Sequence, residues 1–340
     1  MSEYSPEATA GAFLSAGTPE QPLLGPGNAD SDVRGPAPRV WLVTGASRGL
    51  GRAVTAVALQ RGDHVVATAR EPHQITEALG TSDALLAAKL DVTAPDEAHA
   101  AVAAAVEHFG RIDVVVNNAG YGAFGAVEEI STSELERLFA TNVTGTVNVT
   151  RAALPYLRAQ RGGHLLNVSS LGGFSSSAGW GVYGASKAAV EGLSEALHAE
   201  LGPLGIAVTI IDPGFFRTEF LSKQSLIRAD AAIPDYGASI NRAAPDQMHH
   251  RQPGDPARAA AAIHQLVATA RPPLRLALGS DALHRMREKL LDVAQDLHRW
   301  EGLSRSTAWE QPSMSAGRSE ESPTTWLLRE ASQRTSRTNG

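Results

Sequence analysis

The chain has no cysteine, few aromatic residues and no excess of positive charge. Without thiols it cannot form disulfides, use a thiolate nucleophile or hold zinc or an iron–sulfur cluster through sulfur. Its formal net charge of −6 provides no overall basic field to attract nucleic acid or an anionic membrane. No apolar run approaches the roughly 18 residues that span a bilayer, and the acidic first segment lacks the pattern of a secretory signal. We expect a soluble, cytoplasmic protein.

Composition divides the 340 residues into three parts. Residues 1–38 are rich in proline, glycine and acidic residues, and residues 304–340 are rich in serine and threonine. Neither part keeps an apolar period, so both are predicted to be disordered arms. Residues 39–303 are predicted to form one folded domain.

In this domain, short β-branched runs alternate with alanine-rich amphipathic stretches. Strands are predicted at Val40–Thr44, His64–Ala69, Ala88–Val92, Ile112–Val116, His164–Val168, Ile206–Ile211 and Leu274–Leu278. Helices are predicted at Arg48–Arg61, Pro95–Phe109, Ser133–Gln160, Val182–Leu201 and Asp255–Ala270, with a closing helix before Trp300. Continuously apolar strands are typical of a parallel sheet covered on both faces. The pattern predicts a doubly wound, three-layer α/β fold of Rossmann type, which binds ligands beyond the carboxyl ends of its strands.

A glycine-rich turn follows the first strand. Thr44–Gly51 spaces its glycines as G-x-x-x-G-x-G and leads into a helix. Glycine permits a tight turn and a close backbone approach, and the free N–H groups of a helix N-terminus suit a pyrophosphate. No Gly-Lys-Ser/Thr follows, so the turn is not a P-loop. It predicts a nucleotide site.

Further motifs follow in a fixed order: Asn117-Asn118-Ala119-Gly120, Ser170, Tyr183-Gly184-Ala185-Ser186-Lys187, and Pro213-Gly214 with Thr218. Together with the glycine turn they resemble the short-chain dehydrogenase/reductase family over about residues 39–270. The resemblance implies NAD(P)(H)-dependent hydride transfer at a carbonyl or alcohol carbon and a homodimer or homotetramer. It also implies a substrate lid at about residues 215–253, followed by a C-terminal extension at about 272–303.

The catalytic set that the resemblance implies is Asn142, Ser170, Tyr183 and Lys187. Tyr183 and Lys187 are four residues apart and share a helix face. A nearby ammonium lowers the pKa of a phenol, which is near 10 when free, so Tyr183 is expected to be the general acid in reduction and the general base in oxidation. Ser170 is expected to hydrogen-bond the substrate oxygen, with Ser169 as the alternative. Asn142 is implied to kink its helix and fix a water near the lysine; a solvated helical asparagine is the alternative.

Cofactor contacts are implied at the strand ends and in the turn. They are Gly45, Ser47, Arg48, Gly49, Leu50, Gly51, Arg70, Asp91, Val92, Asn118, Ala119, Gly120, Tyr183, Lys187, Pro213, Gly214 and Thr218. Asn117 is expected to tie the central strands together. For Asp91, a turn or helix-capping role is the alternative to contact with the adenine.

Two arginines favour NADP(H) over NAD(H). In NAD-binding sheets, an acidic residue at the end of the second strand takes the ribose 2′-OH, and here that position is Ala69, followed by Arg70. Arg70 and Arg48 are suited to a 2′-phosphate. Glu71 takes the 2′-OH instead if the strand runs two residues further.

These observations predict an NADP(H)-dependent ketone reductase or secondary-alcohol dehydrogenase. Phe215, Phe216 and Phe220 predict an apolar substrate wall. His249-His250 has no third ligand at a suitable spacing, so no metal site is predicted. The alternatives are an epimerase or dehydratase on the same fold, and a catalytically silent NADP-binding regulator.

Overall fold

The computed structural model describes residues 37–230, 232–309 and 325. The predicted disordered arms, 1–38 and 304–340, therefore lie almost wholly outside the described residues. At the second boundary the last helix continues to Arg305, beyond the predicted domain end. Within the described residues, no helix is both long and apolar enough to cross a membrane.

Nine strands and ten α-helices are described. The strands are β1 Val40–Thr44, β2 His64–Ala69, β3 Leu85–Lys89, β4 Val114–Asn117, β5 Gly122–Phe124, β6 Gly163–Val168, β7 Ile206–Pro213, β8 Leu226–Arg228 and β9 Arg275–Leu278. The helices are α1 Gly49–Gln60, α2 His73–Leu79, α3 Pro95–Phe109, α4 Thr132–Phe139, α5 Gly145–Gln160, α6 Leu171–Phe174, α7 Gly181–Leu201, α8 Ala244–Met248, α9 Pro256–Val267 and α10 Ser280–Arg305.

Seven strands form one parallel sheet in the order β3-β2-β1-β4-β6-β7-β9. The order reverses between β1 and β4, which is where a doubly wound sheet opens a crevice for ligands. Two apolar clusters cover its faces: one includes residues of α1 and α9, the other residues of α3, α5 and α7. The predicted Rossmann-type three-layer α/β fold is confirmed.

A second, two-stranded sheet lies outside the main one. Strands β5 and β8 pair in parallel, from Gly122–Leu226 to Phe124–Arg228. Neither strand was predicted, because three-residue strands carry too little apolar pattern to be recognised.

The third strand was predicted about three residues too late. Ala88–Val92 was expected, but β3 spans Leu85–Lys89 because it pairs residue by residue with β2, from Val65–Leu85 to Ala69–Lys89. Leu90 and Val92 are buried beyond the strand. Their apolar character reflects packing at the sheet end and not strand pairing.

Candidate active site

One cavity of about 870 Å³ opens at the carboxyl ends of the central strands. All the predicted catalytic and cofactor residues line it except Gly51 and Asn142, which lie behind its wall. The tertiary structure therefore brings segments between residues 45 and 218 into one site.

The glycine turn has the backbone that its sequence requires. Gly45 and Gly49 both have a positive φ, of 65° and 57°, a region that disfavours side chains. Gly51 is buried inside α1, where a Cβ would lie 2.5 Å from the carbonyl oxygen of Gly45. Its small size thus allows the helix to pack on the turn, and the expected direct cofactor contact at Gly51 is not supported by its position.

Two asparagines join neighbouring strands below the turn. The Asn117 amide donates to Asn167 Oδ1 at 2.8 Å, which links β4 to β6. The Asn118 amide donates to the carbonyl oxygen of Thr44 at 2.9 Å. The side-chain donors of Asn118 thus hold the end of β1, while the residue itself still lines the cavity.

Asn142 lies in a π-helical bulge, Ala140–Thr144, between α4 and α5. This bulge interrupts the single helix that was predicted from Ser133 to Gln160. The Asn142 side chain accepts a hydrogen bond from the backbone N–H of Tyr121 at 3.1 Å. It donates to Tyr121 O and to Ser186 Oγ, each at 3.0 Å. Asn142 is buried, so the solvated alternative is wrong, and π-bulges are frequent at functional sites.

Tyr183 and Ser170 face each other inside the cavity. Burial raises the pKa of Tyr183 to about 12, and a hydrogen bond with the Ser170 hydroxyl opposes this rise. Ser170 also caps α6, where its Oγ accepts from the N–H of Gly172 at 3.0 Å. The phenol and the hydroxyl can therefore contact the same substrate oxygen.

Lys187 lies one helical turn beyond Tyr183 and is buried. Its Nζ donates to the carbonyl oxygen of Val168 at 2.8 Å. Burial lowers the pKa of Lys187 to about 8, while the negative charge of Asp212 acts in the opposite direction. A Cβ on Gly120 would come within 3.5 Å of this Nζ, so the glycine leaves the ammonium accessible from the cavity.

Ser169 faces away from the phenol. Its hydroxyl donates to Glu191 Oε1 at 3.0 Å, behind α7. Successive residues at a strand end point to opposite sides, so only Ser170 lies beside Tyr183.

Behind Ser169 lies a buried acidic group that the sequence analysis missed. Asp212 is fully buried at the end of β7, and its Oδ1 has no hydrogen-bond partner among the described residues. Burial and the charge of Glu191 raise the pKa of Asp212 to about 7, although the nearby Arg275 lowers it. The signal in the sequence was a single aspartate within an apolar strand, Ile206–Pro213.

Arg48 and Arg70 both line the cavity. Burial and the charge of Arg70 lower the pKa of Arg48. Strand β2 ends at Ala69, and Glu71 therefore lies beyond the strand with its side chain 65% exposed. Asp91 accepts from the backbone N–H and the hydroxyl of Thr93, at 2.9 and 2.7 Å, which fits the turn role while it also lines the cavity.

Comparison with known proteins agrees with this geometry. The family model for short chain dehydrogenases matches residues 39–227. The chain belongs to the short-chain dehydrogenase family.

Several relatives of this short-chain dehydrogenase are similar over most of their length. Oxidoreductase BOA17 of Botryotinia fuckeliana is 34% identical, over 79% of this chain and 99% of its own. A short-chain dehydrogenase from Streptomyces avermitilis has a solved structure with 41% identity and a TM-score of 0.75, covering 81% of this chain and 100% of its own.

Two further solved neighbours carry nicotinamide cofactors. A serine dehydrogenase complexed with NADP+ is 29% identical, with a TM-score of 0.60, over 70% of this chain and 94% of its own. A 3-ketoacyl-(acyl-carrier-protein) reductase from Brucella melitensis complexed with NADH is 25% identical, with a TM-score of 0.60, over 71% and 96% of the two chains.

The C-terminal extension of this short-chain dehydrogenase also reaches the cavity. Asp281, in the first turn of α10, accepts from the backbone N–H of Phe215 at 2.7 Å. Arg285 lines the cavity and donates to Ser175 Oγ at 3.2 Å. No sequence motif includes these residues, which follow Tyr183 by about a hundred positions. They reach the cavity only because α10 packs beside α6.

Proposed function

We propose that this protein is an NADP(H)-dependent reductase of ketones, or dehydrogenase of secondary alcohols. The observation that carries the proposal is that Tyr183, Ser170 and the buried Lys187 line the cavity that also contains the glycine turn. These groups provide a proton, an oxygen-binding donor and a cation within one site.

The cavity fits a nicotinamide dinucleotide. Its lining includes the glycine turn, the segment Asn118–Gly120, and Pro213, Gly214 and Thr218. When bound, the nicotinamide supplies or accepts the hydride. Lys187 and Asn118 are suited to the two riboses, and Thr218 to the carboxamide.

In reduction, Tyr183 donates its phenolic proton to the carbonyl oxygen, and Ser170 donates a hydrogen bond to the same oxygen as negative charge develops on it. Lys187 stabilises the resulting phenolate, which lowers the effective pKa of Tyr183 from its high value in a buried site. Asn142 acts indirectly, because its side chain holds the backbone of Tyr121 on the cavity wall. In oxidation the proton moves in the opposite direction.

The preference for NADP(H) rests on Arg48 and Arg70. Both arginines line the cavity, and their positive charges would favour binding of a 2′-phosphate. Ala69, in the position of the usual acidic residue, presents no carboxylate to repel the phosphate.

An aromatic wall beside the phenol favours an apolar substrate. The rings of Trp180 and Phe220 lie 5.8 and 5.4 Å from that of Tyr183. The centroids of the Trp180 and Phe220 rings are 6.3 Å apart, and the two ring planes are nearly parallel. A ketone with an aliphatic or aromatic substituent would bury that substituent here.

The test is the affinity for NADPH and for NADH, measured by calorimetry on the wild type, Arg70→Ala and Arg52→Ala. Arg52 is exposed on α1. Arg52→Ala is therefore the matched control, because it also removes one positive charge. We expect tighter binding of NADPH, a loss of about 10- to 100-fold in Arg70→Ala only, and little change for NADH. Preference for NADH would indicate that Glu71 binds the ribose 2′-OH. If neither cofactor binds, the proposed activity is wrong.

A further inference from the structure

Three possible metal ligands lie close together in the predicted lid, residues 215–253. Glu219, His249 and His250 each offer a ligand atom, and these atoms lie within 4.8 Å of one another. Glu219 belongs to a short 3-10 turn, Glu219–Leu221, and the histidines follow α8. The sequence places no third ligand near His249-His250, but in the fold Glu219, thirty residues upstream, lies close to them.

The two ends of the lid are held together by backbone contacts. Phe216 and Gly254 form an isolated parallel bridge, in which the N–H of Arg217 donates to Gly254 O at 2.9 Å. The Gln252 amide also donates to Thr218 O at 3.4 Å. Glu219 therefore stays beside His249 through the geometry of the lid and not through contact between these two side chains.

The spacing of the ligand atoms leaves room for an ion. His249 Nε2 lies 3.8 Å from Glu219 Oε2, which is too far for a hydrogen bond. Bonds of about 2.1 Å to one Zn2+ would separate two ligand atoms by about 3.4 Å at a tetrahedral angle and by about 4.2 Å in a linear arrangement. The distance between Glu219 and His249 lies between these limits, and all three ligand atoms lie within 4.8 Å of one another.

The two histidine rings lie side by side at the end of α8. His250 has a φ of 60°, which is uncommon for a residue with a side chain, and the two rings lie 3.9 Å apart at 34°. Imidazole nitrogens are common ligands of transition-metal ions.

We propose that Glu219, His249 and His250 form a binding site for a divalent transition-metal ion, Zn2+ by preference. Two imidazoles and a carboxylate are ligands that Zn2+ accepts, with water completing its coordination. The bound ion fastens the turn Glu219–Leu221, next to Thr218 on the cavity wall, to the end of α8. Metal occupancy thus stabilises the lid against opening.

The test is titration of the metal-free protein with ZnCl2 by calorimetry at pH 7.5. We expect one ion per chain, and affinity at least tenfold lower in Glu219→Gln and in His250→Ala, which each remove one ligand. His284→Ala is the control: His284 and Glu288 form an exposed pair at 3.1 Å on α10 but have no third ligand. Its affinity for Zn2+ should equal that of the wild type.

A second readout separates ligation from an indirect effect on folding. Co2+ in the same site should give visible absorption that is lost in His250→Ala, while the circular dichroism of this variant and its affinity for NADPH stay unchanged. Hydrogen exchange in residues 219–250 should slow when Zn2+ is added to the wild type. The absence of stoichiometric binding, or equal binding by wild type and His250→Ala, would overturn the proposal.

Discussion

Glu191 and Asp212 share one guanidinium group behind the proposed catalytic helix. Arg275 Nη1 lies 2.7 Å from Glu191 Oε2 and 3.5 Å from Asp212 Oδ2. Glu191 also follows Lys187 by one helical turn, so Tyr183, Lys187 and Glu191 lie along one face of α7. The two carboxylates cannot both be charged without cost in this site, since both are buried and their charges repel.

We expect Asp212→Asn to change how stability depends on pH. The pKa of Asp212 in the folded protein is about 7, against about 3.9 in an unfolded chain. The folded state therefore retains a proton that the unfolded state releases, and this group makes the protein less stable as pH rises from about 4 to 7.

Without that carboxyl, the free energy of unfolding should fall less over the same range. Urea denaturation of both proteins at pH 5 and pH 7.5 measures the difference. Glu195→Gln is the control, because Glu195 also contacts Arg275, at 2.9 Å, but is 56% exposed. Equal pH slopes in the wild type and Asp212→Asn would contradict the expectation.

Tyr183→Phe should lower kcat by a factor of about 10² to 10⁴, since it removes the proposed proton donor. The Kd for NADPH should change by less than about threefold because the ring remains. Stopped-flow oxidation of NADPH with an accepted ketone measures the first quantity, and fluorescence titration the second. Tyr121→Phe is the control: Tyr121 also lines the cavity, and its variant should keep turnover.

The neighbouring serines should behave differently when each is replaced by alanine. Ser170→Ala removes a donor to the substrate oxygen, and we expect kcat/KM to fall by about 10² to 10³. Ser169→Ala should keep activity within tenfold. It should lose about 1–3 kcal/mol of stability, because Glu191 loses a buried hydrogen bond. Steady-state kinetics and urea denaturation of both variants check this, and similar activities would argue against the role of Ser170.

Two glycine-to-alanine changes should have opposite effects on stability. A Cβ at Gly51 collides with the backbone of Gly45, so Gly51→Ala should lose about 1–3 kcal/mol and weaken NADPH binding. Gly192 lies exposed within α7, and a Cβ there meets nothing within 4 Å. Gly192→Ala should gain about 0.5–1 kcal/mol. Thermal denaturation of the two variants distinguishes the cases.

Local patterns were enough to predict the main sheet, its large helices and the glycine turn that lines the cavity. The glycine turn, the strand ends and the i, i+4 pairing of Tyr183 with Lys187 each depend on the geometry of a short segment, and that geometry is encoded in the residues of the segment itself. The sequence therefore determined the fold class. It erred at β3, where pairing with β2 decided the register.

Other relationships exist only once distant segments meet. Asp212 shares Arg275 with Glu191 because β7 and β9 are neighbours in the sheet. Arg285 reaches the cavity because α10 docks beside α6, and Glu219 lies near His249 because a bridge between Phe216 and Gly254 joins the two ends of this segment. No spacing rule connects residues that the chain separates by 30 to 100 positions, since burial and strand order fix their distances. Tertiary structure alone decided the electrostatics behind the cavity and the geometry of the lid.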